Sequence, residues 1–234
     1  MSTGAMVHPV STAEAFPNDA ADSRDRPDAL EVSPEETLTS AEFRRKFTIA
    51  DLERLYEVGF LDEETDRYEL IDGDLIDMGR IQPPHSSAIN RSTRLFTLGL
   101  QDRAFVITQN PMRLGVETLT QPQPDVTLAK FRKDGYQKRH PFPEDVFLAI
   151  EVMDTSHRYD HGVKLPKYAR SGIRETWLMD LPGQKIEIHR RPVEGVYLDR
   201  TILLPGETIA AEAFPDLVLS VSDLLGLPEA ESES

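Results

Sequence analysis

From Val146 to Met153 every residue is apolar except Glu151. A run of this length, apolar on both alternating faces, is what a central strand needs when its sheet is covered on both sides. The rest of the chain must then supply those covering layers. The same run sets a chemical problem, because a carboxylate inside such a strand survives by pairing, by protonation or by coordinating a cation.

Two other residues bear on that problem. Asp125 follows Pro124 at the start of a short apolar run, and a proline just before a strand is tolerated because its missing donor falls outside the ladder. Lys164 lies in a segment with helical periodicity, Val163 to Ala169, which Gly172 ends; Pro166 would be tolerated in its first turn, and Tyr168 shares a face with Lys164. Two carboxylates and a lysine, carried on strand, strand and helix, suit a metal-dependent phosphodiesterase. The acids hold a hard divalent cation through oxygen, and the ammonium orients the attacking water or steadies the developing charge. A buried Glu151–Lys164 ion pair that only fixes the helix on the sheet reads the same in sequence, and metal binding separates the two. A glycosidase acid–base pair is the other reading of paired carboxylates, but Trp177, the single tryptophan, falls in an apolar strand rather than on a sugar platform.

The surrounding chain fits one domain of ordinary size, expected over 41–228, with acidic tails at 1–40 and 229–234. The first 40 residues, rich in Ala, Ser, Pro and Asp, read as disordered. They hold much of the formal charge of −15, which argues against a surface that coats nucleic acid but leaves room for a local groove. There is no cysteine, so neither a disulfide nor a thiolate site is available. No apolar run is long enough to cross a bilayer and no basic-then-apolar leader opens the sequence, so the expectation is a cytoplasmic protein without membrane contact.

Within the expected domain, Thr48 caps a helix that begins at Ile49. Asp72-Gly73 between alternating runs predicts a hairpin. On its first strand Glu69 shares a face with Ile71, and is either an edge acid in solvent or a paired or cation-binding one. Pro83-Pro84 opens a helix from His85 to about Arg103, with His85 in its first turn as a capping residue or a phosphate contact. Strands are expected at 104–109, 112–114 and 124–129, the second set off by Pro111. The loop 130–145 is the most basic segment, either solvated or the best candidate for a nucleic-acid backbone contact. Further strands follow at 175–180, 185–190, 197–204 and 208–210, then a short helix at 221–225.

The segments Tyr68–Gly73, Pro83-Pro84-His85, Gln109-Asn110-Pro111, Pro122–Asp125, Ile150–Ser156 and Lys164–Ile173 occur in the same order as in the Uma-two family. That family is a restriction-endonuclease-like branch of the PD-(D/E)xK nuclease superfamily. The resemblance spans about residues 45–226 and implies an α/β (mixed α+β) fold: a central mixed β-sheet flanked by helices, with an N-terminal helix and hairpin. It also implies an Mg2+-dependent endonuclease, with Mn2+ as an alternative ion and nucleic acid, DNA first, as substrate. A homodimer is the assembly that would cut both strands. By position, Asp125 and Glu151 resemble the metal-binding acids, with the Val152 carbonyl as a further ligand, and Lys164 resembles the catalytic lysine. Met153 stands where the superfamily's Glu-x-Lys pattern places lysine, so the resemblance moves that group onto the following helix. Glu69 would be the remaining acid, with Asp160 and Tyr168 beside the site. Asp125→Ala and Lys164→Ala are then expected to abolish cleavage and leave the melting temperature largely intact. The competing implication is an inactive nuclease-like domain that binds nucleic acid or a protein partner.

Overall fold

The structure, a computed structural model, describes residues 45–227 except 63–64, 116–118 and 155–156. The expected tails lie outside the described residues. Helix α1 (Ile49–Glu57) starts at Thr48, whose hydroxyl accepts the Asp51 N–H at 3.1 Å while Asp51 accepts the Thr48 N–H at 2.8 Å. This reciprocal cap satisfies donors that a helix N-terminus otherwise leaves open. Strands β1 (Tyr68–Ile71) and β2 (Asp74–Asp77) form the expected hairpin. Its turn puts Asp72 and Gly73 at φ 50° and 78°, a conformation that suits the sequence Asp-Gly. A side chain at residue 73 would also meet Lys46 Cβ at 2.7 Å.

Helix α2 (Pro83–Leu100) takes its two prolines in the first turn, where no donor is lost. It leads into a six-stranded sheet in the order β3 (Ala104–Thr108), β4 (Val126–Lys130), β5 (Val146–Met153), β6 (Glu175–Asp180), β7 (Lys185–Val193), β8 (Val196–Leu203). Only β5 and β6 are parallel; the other neighbours are antiparallel. A parallel pair needs a crossover, supplied here by α3 (His157–Tyr159), a π-helical turn (Asp160–Lys164) and α4 (Leu165–Ser171). Pro166 accounts for the π turn. It has no N–H to close an i→i−4 bond on Gly162, and its ring would press on that carbonyl, so the helix widens by one residue and Leu165 bonds back to Asp160.

The sheet is covered on both faces. Leu148, Ile150 and Val152 of β5 join Phe96 and Leu100 of α2, Trp177 of β6 and Leu224 of α5 (Val221–Leu225) in the main core. Ala149 turns the other way, to Tyr168 and Ile173. Glu151 shares that parity and therefore faces the crossover helix. The mixed sheet flanked by helices, with the N-terminal helix and hairpin, matches the expected fold.

Two local expectations change. Residues 112–114 form no strand: the Met112 N–H bonds to Pro122 O (2.8 Å) and the Arg113 N–H to Pro141 O (3.0 Å), so successive donors go to different segments. A ladder cannot form where prolines at 111, 122 and 124 remove donors. Conversely, β9 (Thr208–Ile209) pairs with a two-residue strand not anticipated, β10 (Leu219–Ser220), too short to carry a periodic signal.

Candidate active site

Asp125 immediately precedes β4, and Glu151 lies near the C-terminal end of β5. Because Val126 pairs with Ile150, the register carries Asp125 alongside Glu151 and Val152. The Asp125 carboxylate is held from three sides: Oδ2 accepts the Val152 N–H at 2.8 Å and contacts His85 Nε2 at 3.1 Å, and Oδ1 accepts Gln109 Nε2 at 3.2 Å. It is thereby fixed at the mouth of a cleft of about 270 Å³.

Glu69 arrives from the hairpin, which two backbone bonds between Leu70 and Gln121 tie to the segment before β4. It is fully buried, so the solvent-edge reading is overturned. Its Oε1 accepts the Gln123 N–H at 2.7 Å, and its Oε2 is buried without a hydrogen-bond partner.

Lys164, at the end of the π turn, is 2 % exposed and binds these acids together. Its Nζ lies 2.8 Å from Glu69, 3.1 Å from Glu151 and 4.0 Å from Asp160, with the Tyr159 ring 5.9 Å away. Tyr168, one turn further on, donates its hydroxyl to Glu151 Oε1. Asp125, Glu151, Val152, Asp160, Lys164 and His85 all line the one cleft. Glu69 and Tyr168 stand behind it, in contact with Lys164 and Glu151.

The electrostatics follow from burial. Burial pushes Glu151 and Glu69 above the ordinary carboxylate range, with Lys164 opposing the shift incompletely. Burial also works against the charge on Lys164, but Glu151, Glu69 and Asp160 outweigh it and hold the amine protonated. Three carboxylates, Glu69, Glu151 and Asp160, therefore meet one protonated amine, with Asp125 beside them in the cleft. An orphaned carboxylate oxygen and an oxygen-rich donor set short of positive charge fit a hard divalent ion.

His85 is the rim residue with a usable titration. Burial disfavours its charged form, but the hydrogen bond and charge of Asp125 outweigh this and raise it above 6.5. The pairing contributes stability fully below the ordinary histidine value, and loses it as pH rises through the raised one. The melting-temperature gap between wild type and His85→Gln should therefore be widest on the acid side of the ordinary histidine range and narrow as pH rises above it. A gap that does not change with pH would mean the ring is not titrating against Asp125.

Some cleft residues carried no sequence signal for a site. Gln109 is a neutral amide at a strand end, and Arg67, Arg80, Asp154 and Tyr159 come from hairpin, loop and helix positions with no shared pattern. The basic loop 130–145 lies elsewhere. Lys130 ends β4 and Asp125 precedes it, so the loop starts about 16 Å from the cleft. Two of its cations are also paired within the loop: Arg132 with Asp134 and Arg139 with Asp145, and both guanidinium groups pack on Tyr136.

A six-stranded mixed sheet with its acids and lysine gathered at one end, under a crossover helix, defines a restriction-endonuclease-like domain. Residues 49–222 match the family model "Uma2: Putative restriction endonuclease". The chain belongs to the Uma2 family. In fold it is similar to a crystal structure from Anabaena variabilis described as "a putative nuclease belonging to DUF820", with a TM-score of 0.60 and 16 % identity over 77 % of this chain and 98 % of that one. A search of curated proteins returns no match. No helix among the described residues is long and apolar enough to cross a membrane.

Proposed function

We propose that this protein is a metal-dependent endonuclease that hydrolyses phosphodiester bonds in nucleic acid, with DNA as substrate and Mg2+ or Mn2+ as cofactor. The observation that carries the reading is that Asp125, Glu151 and Lys164, far apart in sequence, line one cleft. Asp125 and Glu151, with the Val152 carbonyl, would hold the ion, and Glu69 and Asp160 would add negative charge around it. A divalent cation bound there would polarise the phosphate and lower the pKa of a bound water.

The protein's own groups do the rest. Asp125 is kept in position by the Val152 N–H, His85 and Gln109. Tyr168, on the crossover helix, fixes the Glu151 carboxylate from the side away from the cleft opening. Lys164, charged and immobilised between acids, orients the attacking water and steadies the charge that builds on phosphate. Arg67 and Arg80 at the rim would neutralise the flanking backbone.

The test is incubation of supercoiled plasmid with the full chain and Mg2+ or Mn2+, beside a chelator control and Glu151→Gln, with an RNA substrate in parallel. Expected are nicked and linear products that need the metal and vanish in the variant. Linear product formed directly would favour a two-fold dimer. Plasmid left equally intact by wild type and variant would end the proposal. The tight ion pairs on Lys164 favour one second reading, a domain that binds nucleic acid without cutting it. Nucleic-acid binding without cleavage, and no calorimetric binding of Mg2+ or Mn2+, would be its mark.

A further inference from the structure

A second cluster of ligating side chains lies on the crossover face of the sheet, apart from the acids of the cleft. On β7, Ile186 and Ile188 join the core beneath α2, so Glu187 and His189 between and beside them face the crossover. There the π turn brings up His161. One ligand atom from each of His161, Glu187 and His189 lies within 4.8 Å of the others.

The three do not satisfy one another by hydrogen bonding. His161 Nε2 is 3.7 Å and His189 Nε2 is 3.5 Å from Glu187 Oε2, at or beyond the limit of a useful hydrogen bond. The His189 side chain is only 7 % exposed, and its Nε2 is buried without a hydrogen-bond partner. A buried ring nitrogen left this way is costly unless something else takes its lone pair or proton. Two imidazoles and a carboxylate form a donor set for borderline divalent ions such as zinc, whereas Mg2+ takes oxygen.

We infer that His161, Glu187 and His189 bind a transition-metal ion of the zinc type, at a site distinct from the cleft. Glu187 is at present also paired with Lys185 at 2.9 Å and Arg200 at 2.7 Å. The Arg200 side chain is 54 % exposed and free to turn into solvent as the ion enters. The consequence lies in the π turn, which carries His161 beside Asp160 and ends at Lys164. An ion on His161 and the two β7 ligands would clamp that turn to the sheet and hold Lys164 in register with the acids.

The test uses the full chain, stripped of metal with a chelator and titrated with Zn2+ by calorimetry. With excess Mg2+ present to occupy the cleft, wild type and Asp125→Asn should each bind one tight equivalent with equal affinity and gain melting temperature on binding. His161→Ala changes a half-exposed helical residue and should fold normally. It should bind Zn2+ at least ~10-fold more weakly, and should also lose the visible absorption of Co2+ bound in place of Zn2+. Failure of wild type to bind an equivalent of Zn2+, or undiminished binding by His161→Ala, would overturn the inference. Neither result bears on cleavage at Asp125 and Glu151.

Discussion

Lys164→Met is expected to destabilise the metal-free protein by about 3–5 kcal/mol, the usual cost of removing one partner from a buried ion pair. For a chain of this size that is a fall in melting temperature of about 10 °C or more. The reason is arithmetic of charge. Lys164 is 2 % exposed and contacts Glu69 and Glu151, both buried, and methionine would remove the cation that lies between these two carboxylates. The sequence alone predicts that a change at Lys164 spares stability, and burial reverses that expectation.

A pH series adds a second check. Burial raises Glu69 and Glu151. An acid with a raised folded value favours the folded state below its ordinary value and loses that contribution as pH rises through the raised one. The deficit of Lys164→Met should therefore shrink as the solution is acidified and the two acids take up protons. Neutralising them in Lys164→Met/Glu69→Gln/Glu151→Gln should restore part of the loss. Calorimetric melting of the three proteins in chelator is the measurement. An unchanged melting temperature in Lys164→Met would mean that the amine does not hold these acids, and the geometry of the site would fall with it.

Asp125→Asn should act in the opposite way, with little effect on stability and a large one on cleavage. Asparagine keeps the shape and the acceptor that takes the Val152 N–H, and Gln109 can turn its amide to suit the new Nδ2. The change in melting temperature should stay within a few degrees, about 1 kcal/mol. Metal-dependent cleavage should drop at least ~100-fold, because a charged oxygen is lost where the ion is proposed to bind. Retained activity would remove Asp125 from the proposed centre. A large loss of stability would instead mark its carboxylate as a structural tie between β4 and β5.

The two variants divide the site into parts that were unequally legible. Glu151 was conspicuous because one acid in an eight-residue apolar strand breaks a strong pattern, and Tyr168 could be placed with Lys164 by helical spacing. Glu69 was ambiguous. Alternation gave it a face but not which side of the hairpin would be covered, and that depended on a bridge from Leu70 to Gln121, fifty-one residues away. Gln109 and Arg67 had no periodic signal, since their place in the cleft comes from where a strand end and a loop happen to meet. For the basic loop, composition records charge, but not the end of the sheet on which it lies nor the carboxylates beside it.

The sequence by itself determined the elements that short-range physics controls. These are the capped helix at Thr48, the Asp-Gly hairpin, the proline-led α2, the doubly covered β5, and the order of segments that marks the family. Only the tertiary structure decided that one lysine would be shared by acids from three elements, that Pro166 would open a π turn, and that this turn would set Lys164 towards the cleft and His161 towards β7. Caps, turns and periodicity are settled within a few residues. Which buried charges meet depends on strand register and on the path of one crossover, and both are fixed by packing between segments far apart in the chain.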